Sequence, residues 1–234
     1  MGNKSEHAGI VKGRSPAIML GCVALATVII LVSSGCLSSQ SPVQLNGVEI
    51  QGYQGEKLSS INDFRENSIK GPQYIDNATY NLQVTGLVRD PKIFTYGQVL
   101  DGFDSYEKVV TLNCVEGWSV KILWQGVLVR DLINSAHPSA AANTVIFHAY
   151  DGYTTSFPIE YLMDNDIIMA YKMNGVTVPP ERGYPFVLVA ESKWGYKWIK
   201  WITEIELSDD QSYEGYWESR GYSNEGDLGE PFIG

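Results

Sequence analysis

The chain is short of the residues that most often carry metal and acid–base chemistry. Its 234 residues include three cysteines and three histidines. Basic residues number 17 against 27 acidic ones, a formal charge of −10. That balance argues against nucleic acid as a partner, because phosphate contacts need clustered lysine and arginine. There is no glycine-rich phosphate loop, no nucleophile elbow and no His-Glu-x-x-His pair, which removes the common nucleotide, serine-hydrolase and zinc-peptidase classes. No Cys-x-x-Cys-His haem attachment occurs either. Beyond the N-terminal segment the histidines are His137 and His148. With one cysteine they fall short of the four ligands that structural zinc takes. His137 reads as a surface residue at a helix end, and His148 as a structural residue before a turn.

The cysteines are fewer still once the N-terminus is read. Lys4, Lys12 and Arg14 precede an apolar run over residues 17–32, followed by Ser33-Ser34-Gly35-Cys36. A basic start, an apolar stretch and small residues are the pattern of an export signal. A cysteine directly after them resembles a lipoprotein lipobox, with Ser33 where leucine is usual. The alternative is an uncleaved anchor, the run being near the lower length limit for a span. Either reading places the body outside the cytoplasm, tethered to the membrane through a lipid or an N-terminal helix. Cys22 lies inside the apolar run, Cys36 would be the lipidated terminus, and Cys114 is the one cysteine of the body. An exported protein normally pairs its cysteines, so an unpaired one raises the question of reactivity or metal. Cleavage before Cys36 leaves 199 residues with a formal charge of −12, enough for one substantial core.

The body divides into residues 1–36 (export signal or anchor), 37–57 (a tether rich in Ser, Gln, Gly and Asn), 58–208 (the folded domain) and 209–234 (an acidic tail rich in Gly, Ser and Tyr). The tail either wraps the surface through its aromatics or stays mobile. Alternation and β-branching predict strands over residues 80–88, 109–112, 119–124, 144–149, 167–173, 186–190 and 198–207. In the last, Ile199, Trp201, Ile205 and Leu207 are expected to share one face. Thr95 is placed to cap a short helix, residues 129–136 form a second, and residues 158–162 a helical turn. Asp151-Gly152 and Asn174-Gly175 are turn signals. Many short strands with few short helices mean a mixed α+β, β-rich single domain, not a βαβ array.

Two stretches carry candidate chemistry. Asn113-Cys114-Val115-Glu116-Gly117-Trp118 puts the lone thiol at a strand end, next to a glycine that admits close backbone approach. Such a thiol is a soft-metal ligand or nucleophile on one reading and an inert buried thiol on the other. Trp194-Gly195-Tyr196-Lys197-Trp198-Ile199-Lys200-Trp201 interleaves two lysines with aromatics. It is either an anion site in an apolar wall or a strand whose lysines reach solvent. Tyr150, Asp151 and Tyr153 either line an open site, Tyr153 then offering a catalytic hydroxyl, or pack in the core.

Taken together the blocks resemble the cofactor domain of sulfite-oxidase-type molybdenum enzymes. The resemblance runs through residues 113–119, 124–133, 147–153, Asn174-Gly175-Val176-Thr177-Val178-Pro179-Pro180-Glu181-Arg182-Gly183-Tyr184-Pro185, and 195–201, in the family's order. In size it is most similar to the exported methionine-sulfoxide reductase subunit and its stand-alone relatives. The resemblance implies a molybdopterin cofactor, with molybdenum or tungsten bound directly by the Cys114 thiolate. It implies that Trp198, Ile199 and Lys200 meet the pterin phosphate, with Lys197 as their neighbour in the cofactor-binding block. It makes Asn62, Arg65 and Glu66 cofactor candidates, since Asn62-Asp63-Phe64-Arg65-Glu66 is similar to the reductase's Asn-x-Phe-Tyr-Glu. Val187 stands where the family usually has arginine, and Arg182 stands at a histidine or asparagine position where it can partly compensate. The implied activity is oxygen-atom or electron transfer on a small-molecule or protein sulfoxide or an oxyanion. Electrons then pass to or from a separate partner: a haem protein, a quinone or a carrier protein. The alternative is a binding module that keeps the fold without the cofactor.

Overall fold

The computed structural model describes residues 48–233. The export segment, Cys22, Cys36 and most of the tether lie outside the described residues. Twelve strands and three short α-helices are present among those described. A small ribbon pairs β1 (Gly52–Tyr53) with β2 (Glu56–Lys57). The remaining strands are β3 (Asn81–Gly86), β4 (Lys92–Thr95), β5 (Tyr106–Asn113), β6 (Ser119–Leu128), β7 (Thr144–Ala149), β8 (Thr154–Pro158), β9 (Ile168–Met173), β10 (Val176–Thr177), β11 (Val187–Val189) and β12 (Ile202–Ser208). They form two sheets. One runs β10-β9-β6-β5, with β11 also paired to β9, and the other runs β4-β3-β12-β7-β8. All pairings are antiparallel except β12 with β3.

Period-2 patterning is clear in β3, where Leu82 and Val84 are fully buried and Asn81 and Gln83 exposed, as a half-buried strand requires. The centre of the first sheet differs: β6 keeps Ile122, Leu123 and Trp124 buried in succession, the run expected of a strand covered on both faces. Side chains of both sheets, with α2 (Val129–Ser135) and α3 (Ile159–Asp164), join one apolar cluster. α1 (Tyr96–Gly102) starts as its sequence predicts: Thr95 Oγ1 accepts from the Gln98 N–H, and the Gln98 side chain accepts from the Thr95 N–H.

The strand expected over residues 198–207 begins only at Ile202. Gly195–Lys197 is a 3-10 turn, and Trp201 has a φ of 54°, held as its indole N–H donates to Pro180 O at 2.7 Å. Left-handed backbone at a tryptophan breaks any strand. Ile199, Trp201, Ile205 and Leu207 are all buried nonetheless. After Ser208 the chain packs back on the domain. Gly215, Glu218 and Gly226 are buried, and Tyr216, Trp217 and Tyr222 half-buried.

Candidate active site

Cys114 sits at the tip of the β5–β6 hairpin. Asn113 pairs with Ser119, and the five residues between them close a tight loop. The Cys114 N–H donates to Trp118 O at 2.9 Å, and the Gly117 N–H donates to Cys114 O at 3.0 Å. Gly117 has a φ of 83°, and a Cβ there would meet nothing within 4 Å. Its requirement is therefore conformational, not the close approach expected from the sequence. Close approach belongs to Gly195 instead, where a Cβ would lie 3.2 Å from Asn113 O and 3.4 Å from the Cys114 Cα. The 3-10 turn thus backs directly onto the thiol loop.

That loop opens on a cavity of about 280 Å³. Its apolar wall includes Phe64, Leu112, Trp118, Trp124, Trp198 and Trp201. Cys114 is the one free cysteine among the described residues and is nearly buried. Burial pushes its thiol pKa up, and the Glu116 carboxylate adds to the rise; the Glu116 backbone N–H and Arg65 pull the other way. A buried soft donor of this kind favours a metal over free thiolate, since metal binding displaces the proton.

A cluster of donors lines the same cavity. Lys200 Nζ donates to Asn67 O at 2.7 Å and to Glu66 Oε1 at 3.1 Å, and lies 4.3 Å from the Trp201 ring centre. Burial pulls the Lys200 pKa down, and Glu66 pushes it back up. Arg182 donates to Ile61 O and Phe64 O, both at 3.2 Å, and stands over the Phe64 ring. Ser68 Oγ is buried and has no hydrogen-bond partner among the described residues. Buried hydroxyls are rarely left so. An orphan donor beside a desolvated lysine and an arginine suits an anionic group such as a phosphate monoester. With a soft thiolate donor in the same cavity, the residues fit a phosphate-bearing dithiolene cofactor.

The structure sorts the residues nominated from sequence. Cys114, Tyr153, Arg65, Arg182, Trp198, Ile199 and Lys200 line the cavity. Glu66 does not line it but holds Lys200. Asn62 is exposed and lies outside it, its N–H bonded to Ser60 Oγ. Lys197 is also outside, fully buried and paired with Glu218 Oε1 at 2.8 Å and Asn224 O at 2.8 Å. The 3-10 turn carries it away from the cavity, so its nomination as a cofactor-binding residue is corrected. Tyr153 reaches the cavity, but its hydroxyl donates to the Tyr196 carbonyl, and burial raises its pKa well above an ordinary tyrosine's. A proton engaged in that way is not available to a substrate. Val187 is buried in the cavity wall, which leaves that stretch apolar. His148 and His137 are outside the cavity, paired with Glu206 and Asp90. Ser68, Trp217 and Tyr222 were not nominated from sequence. The first is an ordinary serine in an irregular segment; the other two were visible only as part of a tail rich in aromatics.

Comparison with known proteins agrees with this geometry. The profile of the oxidoreductase molybdopterin binding domain matches residues 69–217, more than half of the chain. An oxidoreductase of Bacillus subtilis, YuiH, is 35% identical over 157 residues, covering 67% of this chain and 78% of its own length. The protein-methionine-sulfoxide reductase catalytic subunit MsrP of Gluconobacter oxydans is 31% identical over 147 residues, 56% of this chain and 47% of its own. Nitrate reductase of Hordeum vulgare is 28% identical over 178 residues, with only 20% of its length matched. Apart from the Bacillus protein, the chain spans about half or less of these relatives. The sulfane dehydrogenase SoxCD of Paracoccus pantotrophus shares the fold at a TM-score of 0.61 and 23% identity, over 68% of this chain and 44% of that one. The mixed β-rich domain, the profile match and the Bacillus relative lead to one assignment: the chain belongs to the oxidoreductase molybdopterin-binding domain family, and is an oxidoreductase whose cofactor is molybdopterin.

Proposed function

We propose that the protein is a membrane-tethered, extracytoplasmic reductase of sulfoxide-type substrates, with the metal held by the Cys114 thiolate. The observation that carries the substrate class is the apolar cavity wall around Cys114, which Val187 extends at the position where the family usually has arginine. Relatives named as methionine-sulfoxide reductases support the same class. When bound, the molybdenum centre supplies two-electron oxygen-atom transfer.

The chain's own residues do the rest. Cys114 fixes the metal against the β5–β6 loop. Lys200, Ser68 and Arg182 hold the pterin phosphate, with Glu66 orienting Lys200. Trp118, Trp124 and Trp198 exclude water, which strengthens every charge interaction in the cavity. The overall reaction takes a sulfoxide, two electrons and two protons to a sulfide and water. Lacking a haem motif, the protein receives its electrons from a separate haem protein, quinone or carrier.

The test compares wild type and Cys114→Ser, each produced with molybdate and pterin biosynthesis. Serine keeps the size but offers a harder oxygen donor. X-ray absorption at the metal edge should lose one sulfur scatterer in the variant, and turnover of methyl sulfoxides with a reduced viologen should fall by at least about a thousandfold. An identical sulfur count in the two proteins sinks the ligand assignment. No turnover of any sulfoxide by the loaded wild type sinks the substrate class.

A further inference from the structure

Two side chains of the cavity wall come from the end of the chain. Trp217 and Tyr222 both line it, and Tyr222 and the residues after it lie beyond the region matched to the family profile. The segment that carries them, residues 213–233, is closely fastened. The Tyr216 N–H donates to Thr154 O at 2.9 Å, the Trp194 N–H to Gly226 O at 2.7 Å, and the Leu228 N–H to Ser192 O at 2.8 Å. Glu218 Oε1 accepts from Lys197 Nζ at 2.8 Å and Thr155 Oγ1 at 2.6 Å, all three side chains being buried. Lys193 Nζ meets Asp227 Oδ1 at 2.6 Å. At Gly226 an added Cβ would lie 2.6 Å from the Lys197 Cγ, so strap and turn are in direct contact.

The aromatics follow from this fastening. Tyr222 packs edge-on against Tyr196 with ring centres 5.1 Å apart, and Trp217 lies 5.2 Å from Tyr222. Tyr196 belongs to the 3-10 turn that backs onto Cys114. The strap aromatics therefore reach the thiol loop through Tyr196, while Arg182 and Lys200 gather around residues 61–67, which meet the same loop through Phe64 and Asn67. Trp217 and Tyr222 are half-buried, and neither the indole N–H nor the hydroxyl is among the buried polar atoms left without a partner, so both polar tips reach the open part of the cavity. A wall with two aromatic faces and two accessible polar tips, one indole N–H and one hydroxyl, matches a molecule with an alkyl arm and one strong acceptor oxygen.

We propose that the C-terminal strap is the specificity element of the active site, with Trp217 and Tyr222 contacting the alkyl arm of a sulfoxide substrate and its oxygen. This rests on the sulfoxide reading above. The experiment uses the loaded holoenzyme and a series of methyl n-alkyl sulfoxides of growing chain length. Burying one methylene is worth about a fourfold gain in kcat/KM, so wild type should improve about fourfold per methylene until the wall is filled. In Trp217→Ala the gain should drop to about twofold or less, and Trp217→Phe should restore most of it. Pterin content, read from the fluorescence of the released and oxidised cofactor, should match wild type in both variants. If Trp217→Ala unfolds during loading, Tyr222→Leu takes its place in the same series. A chain-length dependence unchanged from wild type, or a loss of pterin from a folded variant, overturns the strap assignment alone. No turnover of any member by loaded wild type overturns the sulfoxide reading and the strap assignment with it.

Discussion

At the scale of single residues, Lys197 and Lys200 show what one turn of 3-10 helix does. The sequence presents them as an equivalent pair among aromatics. The structure sends Lys197 into a buried pair with Glu218 and Lys200 into the cavity beside Ser68. Only the second is placed to meet a phosphate. Lys200→Met should weaken cofactor retention about ten- to a hundredfold, because a charge-assisted contact is worth about 1.5–3 kcal/mol. Pterin measured after dialysis checks this, and wild-type retention would make Lys200 a bystander. Cys114 stood out in the sequence as the one body cysteine, but the thiol alone fits an inert core residue equally well; the ordered blocks around it pointed to a site, and the structure places it in the cavity wall. The turn that backs onto it was not legible: Gly195 is 81 positions away in sequence, brought there by the bridge between Asn113 and Trp194. Ser68 was invisible for a different reason. A serine gains meaning only when its hydroxyl is found buried without a partner.

At the scale of elements, patterns confined to one segment were read well and those imposed by contact were not. The strands 144–149 and 119–124, the Thr95 cap and the α2 helix follow local rules of alternation and capping. The strand expected at residues 198–207 failed in its first four positions, where Trp201 is pinned to Pro180 in left-handed backbone. Tertiary contact overrode an alternation that was present in the sequence. The strap depends on another such contact. Removing Lys197 as Lys197→Met leaves the Glu218 carboxylate buried and unpaired, which should cost about 3–5 kcal/mol. The double variant Lys197→Met, Glu218→Leu removes both charges and should recover most of that loss. Denaturant unfolding of wild type, single and double variants measures it; a single variant no less stable than the double would show that the pair does not fasten the strap.

At the scale of the whole molecule, the reading divides at the edge of the described residues. From residue 48 onward the chain is a folded oxidoreductase domain, and no helix among the described residues is long and apolar enough to cross a membrane. The proposed tethering rests on the N-terminal segment, where Ser33-Ser34-Gly35-Cys36 motivates a lipid anchor. A single acyl chain binds membranes only marginally, whereas two or more hold firmly. Cys36→Ala should release the protein into the soluble fraction or leave it at the mass of the uncleaved precursor. Membrane association and processed mass both unchanged would rule the lipid anchor out.

The parallel pairing of β12 with β3 has a consequence for how the chain comes to be folded. β12 is the centre strand of its sheet, joining the β3–β4 hairpin on one side to the β7–β8 hairpin on the other. It is also the last strand among the described residues, so Gln83 must wait for Glu204 before the two can pair. Contacts of such long range form slowly, since the loop between them must be closed before any contact repays it. A chain leaving the ribosome, or threading head first through a translocation pore, can close its hairpins early, the Cys114 loop included. The sheet β4-β3-β12-β7-β8 cannot be completed until residue 208 has emerged, whereas the Cys114 loop needs only β5 and β6.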